Sequence, residues 1–246
     1  MAMLSPNSVT VIGASEDPSK LGSLILRNIK AGGFLGQVTA VNPKHTTILG
    51  TPCFPSIKAL PNTPDLVVIA TPAATVAGII EECVVRNIET VVVISAGFGE
   101  LGTKEGKERE KELERIVRGS ALTLIGPNCL GIVLPHCKLN ASFAETPDIQ
   151  PGNVALLSQS GAIAVALLDA ARAPLQGTAA VISMVNKTLT STKTYTAMTQ
   201  SAEFTKKLDQ YISFFKNKFD KDSSVVGVVV VTGDKVIGCD MFATHD

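Results

Sequence analysis

An α/β fold with a doubly wound parallel sheet follows from three features of this sequence. Short, nearly all-apolar runs alternate with longer amphipathic ones from residue 8 onward. Each of the apolar runs ends on glycine, proline or a small polar residue, the punctuation of strand-to-helix turns. Strands that are apolar throughout need cover on both faces, which implies a parallel, Rossmann-like sheet with helices on either side. The third feature is a restart: after a proline-bearing span the same pattern begins again near residue 153, the start of a second, flavodoxin-like α/β unit. A small α+β tail closes the chain.

Taken in order, residues 8 to 12 (SVTVI) read as the first buried strand, ended by Gly13. Residues 18 to 30 read as a helix, with Pro18 in its first turn and Gly32-Gly33 as its stop. Residues 37 to 41 and 65 to 70 are the second and third strands. A helix over 73 to 86 places Val76, Ile79, Ile80, Cys83 and Val84 on one face. Residues 90 to 95 form the fourth strand, and 103 to 118 a polar helix in which Leu113, Ile116 and Val117 face a core. The fifth strand is 121 to 125. Residues 1 to 134 thus form the first domain, and 135 to 151, with Pro135, Pro147 and Pro151, a linker. In the second unit, 152 to 186, a strand over 153 to 157 and a helix over 162 to 173 flank the turn Ser158-Gln159-Ser160-Gly161. The Ser/Thr-rich run 188 to 194 changes the character of the chain. Beyond it come a helix, roughly 201 to 219, and two strands, 224 to 232 and 235 to 241, which flank Gly233-Asp234 as a hairpin turn. A hairpin does not continue a parallel sheet, so 187 to 246 is set apart as a divergent tail.

Charge and composition narrow the function. Lys plus Arg and Asp plus Glu both total 22, so no overall field draws nucleic acid or an anionic membrane. Any anionic ligand must be held by local geometry. No apolar run is long enough to span a bilayer, and the N-terminus lacks the charged and apolar regions of a signal peptide. Cys53, Cys83, Cys129, Cys137 and Cys239 are scattered, without a CxxC pair. This fits reduced thiols in a cytoplasmic protein rather than disulfides or zinc. Cys239-Asp240 and His245-Asp246 are two short pairs without a further ligand cluster and read as incidental, so no metal is expected.

The chemistry-bearing residues lie where strands end. Gly13-Ala14-Ser15, with Lys20 and Gly22 following, lets backbone N–H groups approach a phosphate, or serves as a plain strand-to-helix connection. The spacing is not GxGxxG, so the dinucleotide fingerprint is absent. After the second strand stands Val41-Asn42-Pro43-Lys44-His45. NAD enzymes place an acid there; a lysine suits a ribose that carries a phosphate, as in CoA or NADP, or is simply a solvated surface cation. Ala70-Thr71-Pro72-Ala73, Ser95-Ala96-Gly97-Phe98-Gly99-Glu100 and Gly126-Pro127-Asn128-Cys129-Leu130-Gly131 are rigid loops stacked at one sheet edge. Together they point to a single elongated ligand.

The ordered set VIGASEDPSKLG, GQVTAVNPK, DLVVIATPA, VVVISAGFGELG, GPNCLGI, LNASFA and GNVALLSQSGAIAVALLD resembles the CoA-binding half of NDP-forming (ADP-forming) acetyl- and acyl-CoA synthetases. It is similar, more distantly, to the succinyl-CoA synthetase alpha subunit, and the resemblance runs from about residue 7 to about 173. It implies a cradle for coenzyme A or an acyl-CoA. Gly13, Ala14, Ser15 and Lys20 would lie near the phosphates and Lys44 near the 3′-phosphoadenosine end. Thr71, Pro72, Ser95, Ala96, Gly97, Asn128 and Cys129 would lie along the pantetheine. Ser158, Ser160 and Gly161 match the family's phosphate turn, which steadies a phosphorylated histidine; an N-capping serine is the plain alternative.

The sequence also departs from that family. His45, His136 and His245 stand outside any glycine-rich loop suited to the phosphorylated histidine, so they read as surface or structural, and no catalytic residue is assigned. The ATP-grasp portion is implied as a beta subunit or domain. A catalytically silent CoA-binding regulatory module, or the front half of a protein acetyltransferase, is the second reading. An NAD(P)-binding protein is the third, disfavoured by the missing fingerprint and the missing acid. Neither nucleic acid nor membrane is expected as a partner.

Overall fold

The structure is a computed structural model that describes residues 2–144, 151–158, 178–183, 228–232 and 235–239. Its first sheet has seven strands: β1 (Ser8–Ile12), β2 (Gln37–Val41), β3 (Thr47–Ile48), β4 (Thr51–Phe54), β5 (Leu66–Ile69), β6 (Thr90–Val93) and β7 (Thr123–Ile125). They run in the order β3-β4-β2-β1-β5-β6-β7. All neighbours are parallel except the β3–β4 pair. The expected doubly wound sheet is therefore present. The β3–β4 hairpin is an addition: Leu49 (φ 49) and Gly50 (φ 69) turn it in two left-handed residues, the geometry that matches the twist of a tight hairpin.

Three helices cover the sheet: α1 (Leu21–Ala31), α2 (Ala73–Val85) and α3 (Lys104–Arg118). Ile25, Leu26 and Ile29 of α1 are fully buried, packed with Val9, Val11, Val68 and Val92 on one sheet face. Val76, Ile80 and Cys83 of α2 and Leu113 of α3 pack against Ile12, Val67, Ile69 and Val91 on the other, with Ile79, Val84, Ile116 and Val117 at the margin. Successive strand residues alternate between these cores, which is why the strands are apolar throughout. Helix α1 starts at Leu21, after Pro18 rather than with it. The Asp17 carboxylate accepts from Ser19 N (2.9 Å) and Ser19 Oγ (2.7 Å), while Asp17 O accepts from Lys20 N (3.3 Å). That Asx turn occupies the residues that would otherwise open the helix.

A second sheet holds β8 (Gly131–Leu134), β9 (Leu139–Ser142), β10 (Pro151–Ser158), β11 (Thr178–Ser183), β12 (Val228–Thr232) and β13 (Lys235–Cys239), in the order β13-β12-β10-β11-β8-β9. Strands β10 and β11 are parallel, as a new α/β unit requires. The span 135 to 151, read as a linker, carries β9, and Leu139 and Ala141 belong to the core beneath α1. Asn28 of α1 donates its amide to Ser142 O (2.9 Å) and Ala144 O (3.1 Å), mooring the end of β9. Strand β8 pairs antiparallel with β11 on its other side. In the tail, β12 and β13 are antiparallel neighbours, and β12 pairs antiparallel with β10. The turn Gly233-Asp234, the run 188 to 194 and the helices expected over 162 to 173 and 201 to 219 lie outside the described residues. No helix among the described residues is long and apolar enough to cross a membrane.

Candidate functional site

Because β1, β2, β5, β6 and β7 are parallel, the loops after them emerge at one edge, and a chain of hydrogen bonds ties them in sheet order. Asn42, after β2, donates Nδ2 to Ala14 O (2.9 Å) in the loop after β1. Gly13 N donates to Val41 O (3.3 Å), and Ala70 N, just after β5, donates to Ile12 O (2.9 Å) at the end of β1. Ser95 Oγ, after β6, donates to Thr71 O (2.5 Å) in the loop after β5. Asn128 N, after β7, donates to Ser95 O (3.0 Å). Strand order reverses between β1 and β5, the switch point where an open α/β sheet forms its crevice.

Two glycines make the crossing at that switch point tight. Gly13 has φ +92, and a Cβ there would stand 2.5 Å from Ala70 O and 2.9 Å from Thr71 Cγ2. Gly22, in the first turn of α1, lies so near that a Cβ would come within 2.7 Å of Ala14 N. Ser23 completes the joint by donating its hydroxyl to Ser15 O (2.6 Å) and accepting from Ser15 N (3.1 Å). The Ser15 amide is thereby already partnered, and its hydroxyl accepts from Asp17 N (3.3 Å). Ala14 is buried.

The remaining residues singled out in the sequence differ in how they face the edge. Lys20 and Lys44 are exposed, and among the described residues neither ammonium joins an ion pair. Pro72 and Ala96 are exposed, and Thr71, Gly97 and Asn128 half-buried. Cys129 turns inward: 2% exposed, its thiol donates to Val93 O (3.2 Å), and burial pushes its pKa up to about 12. A thiol so held stays protonated and faces the core rather than the crevice. Ser158 ends β10, paired with Ser183 and Val228; Ser160 and Gly161 lie outside the described residues. His136 is exposed and His45 half-buried, and His245 lies outside the described residues.

Helix starts add to the geometry. α1 and α2 begin with Lys20 and Pro72 at the cap, without a side-chain cap bond and without an acid in the first turn. Such a start presents the positive end of the helix to an anion. The Ser19 hydroxyl, donating to the exposed Asp17 carboxylate, holds its pKa below the ordinary value, so that acid is charged beside Lys20. Sequence reading missed Asn42 and Ser23 as members of the site, and placed Gly22 in the first loop without its contact on Gly13 and Ala14. Only Asn42 carried a signal, the turn-forming Asn-Pro pair.

Residues 7–135, more than half of the chain, match the family model of the CoA binding domain. The chain belongs to the CoA-binding domain family. Beyond that domain, residues 151–220 match the succinyl-CoA ligase like flavodoxin domain, a match that passes residue 187, where the sequence changes character. The ADP-forming acetate–CoA ligase I of Archaeoglobus fulgidus is 41% identical over 184 residues, covering 75% of this chain and 26% of that protein. The alpha subunit of ADP-forming acetate–CoA ligase I of Pyrococcus furiosus is 40% identical over 190 residues, covering 76% and 41%. Among solved structures, the dinucleotide-forming acetyl-coenzyme A synthetase 1 of Ca. Korarchaeum cryptofilum, in complex with phosphate and ADP, superposes with a TM-score of 0.71 at 37% identity. It covers 76% of this chain and 39% of that one. This CoA-binding domain protein thus spans well under half the length of these relatives.

Proposed function

We propose that the chain is the CoA-binding part of a nucleoside-diphosphate-forming acyl-CoA synthetase, which interconverts acyl-CoA, ADP and phosphate with the acid, CoA and ATP. An ATP-grasp beta subunit or domain is the partner that this reaction requires. The observation that carries the reading is the row of five cross-bonded loops, with the exposed ammoniums of Lys20 and Lys44, neither in an ion pair among the described residues, at the phosphate end and no carboxylate in residues 42 to 46. CoA supplies the thiol that carries the acyl group; the residues here bind and orient it. Gly13, Ala14, Ser15 and Lys20 hold the diphosphate, and Lys44 the 3′-phosphate. Thr71, Pro72, Ser95, Ala96, Gly97 and Asn128 flank the pantetheine, with Cys129 acting only as the inward anchor of its loop. Ser158, Ser160 and Gly161 form the phosphate turn of the second unit. A cytoplasmic setting accords with the buried, free thiols of Cys53, Cys83 and Cys129.

A thermal-shift panel of CoA, dephospho-CoA, NAD, NADP and ATP tests this. CoA at a hundred times its dissociation constant should add about 2.7 kcal/mol of stability, with dephospho-CoA second and NAD without effect. A response to NAD equal to that of CoA, or none to CoA, would overturn the reading.

A further inference from the structure

Asn42 makes more connections than any role in a plain turn requires. Its Oδ1 accepts from Lys44 N (2.9 Å), closing an Asx turn around Pro43. Its Nδ2 donates to Ala14 O (2.9 Å), in the loop after β1. Its main chain is fixed as well: Asn42 N donates to Phe54 O (2.9 Å) on β4, and Asn42 O accepts from His45 N (3.4 Å). One half-buried amide therefore sets where Lys44 leaves the backbone and how far the Gly13–Ser15 turn stands from it. An exposed lysine has no other constraint of this kind, and a long free side chain loses much of its selectivity to conformational freedom.

We propose that Asn42 is a positioning residue for ligand selectivity, its oxygen aiming Lys44 at the phosphate on the ribose and its nitrogen setting the separate turn that receives the diphosphate. The proposal rests on the CoA reading of this edge. The two ends of the amide make separable contributions. Losing the oxygen should lower the preference for CoA over dephospho-CoA, which differ only in that phosphate. Losing the nitrogen should weaken both ligands alike. Serine at 42 can still accept from Lys44 N as the shorter ST turn, but it cannot span to Ala14 O.

Calorimetry on the full 246-residue chain, with CoA and dephospho-CoA, separates the outcomes. Asn42→Ala should reduce the affinity ratio of the two ligands by about tenfold, the lower end of what a charge-assisted bond confers. Adding Lys44→Ala to it should lower the ratio by less than Lys44→Ala does in the native chain. Asn42→Ser should weaken both ligands and keep most of the ratio, a rescue that a purely structural staple would not give. The proposal is overturned if Asn42→Ala lowers the melting midpoint while the ratio stays native, or if Asn42→Ser loses the ratio too. Should Asn42→Ala fail to fold, the ratio in Asn42→Ser decides alone. If the native chain binds neither ligand the CoA reading itself falls, and the positioning role with it. A native preference that is lost in Lys44→Ala but kept in Asn42→Ala sinks the positioning role only.

Discussion

Three helices begin on the side of the sheet where the strands end, and they begin in two different ways. Helix α3 is closed: Thr103 accepts from Gly106 N (3.1 Å), and Glu105 lies in the first turn, against the positive end of the helix. Helices α1 and α2 are open: a lysine and a proline stand at the cap, no side chain bonds back, and no acid follows. The open pair flanks the switch point between β1 and β5, where the loops are cross-bonded. The closed helix is set back behind the short 3-10 turn Gly99–Leu101, where Glu100 already accepts from Gly97 N (2.6 Å) and Phe98 N (3.1 Å). The difference teaches that, among these three helix starts, the one set back from the crevice is closed by its own side chains, while the two at the crevice leave their positive ends open.

The contrast can be broken most severely at Gly22. Alanine there would press into the main chain of Gly13 and Ala14, so Gly22→Ala should destabilise by about 1–3 kcal/mol, as overpacking does, and should abolish CoA binding. Gly78, in α2 away from the crevice, has nothing within 4 Å of a Cβ. Gly78→Ala should therefore stabilise by up to about 1 kcal/mol. Urea unfolding of both variants, with CoA titrations, checks the pair; a neutral Gly22→Ala would show that the close crossing is dispensable.

Next in size, Lys44→Ala should weaken CoA by roughly ten- to a hundredfold while sparing dephospho-CoA, the range of a charge-assisted hydrogen bond. The preference should fade as salt is raised, since the ammonium is exposed. Equal losses for both ligands in calorimetry would move Lys44 elsewhere in the crevice. A smaller effect is expected at the closed helix: Thr103→Ala should cost about 1 kcal/mol of stability and leave both affinities unchanged. A loss of CoA affinity there would erase the distinction between open and closed starts.

The last prediction concerns pH. Burial pushes the thiols of Cys83 and Cys129 up to about 12 from an ordinary 9.0. The unfolded chain sheds those protons first. Their contribution is thus complete below the ordinary value and is lost as pH rises from there toward the folded one. Urea midpoints should fall across that alkaline window, and less steeply in Cys83→Ala. An equally steep fall in the variant would clear Cys83 of any part in it.

Much of this was legible in the chain. The strands over 8 to 12 and 37 to 41 are visible to the residue, because buried parallel strands carry one unbroken apolar signal. The β3–β4 hairpin was not, since its turn uses Leu49-Gly50 where Asn-Gly would have announced it. Strand β9 hid behind Pro135, which reads as a break yet opens a 3-10 turn inside a hairpin. At the site, the strand-end rule brought Lys44, Thr71, Ser95 and Asn128 to one edge. It could not say that Cys129 faces the core, because a loop has no periodicity from which to read the direction of a side chain. Ser23 escaped for the opposite reason: a serine inside an amphipathic helix looks like solvent-facing filler until the turn it grips is seen.

The hairpin of β8 and β9 has a practical consequence for anyone dividing this protein. The family match stops at residue 135, which invites a truncation there. Yet Leu139 and Ala141 lie against the same core as Ile25 and Ile29, and Asn28 holds the carbonyls of Ser142 and Ala144. A version cut at 135 would uncover one flank of α1, the helix whose first turn forms half of the crevice. A version carried through residue 144 keeps that flank closed.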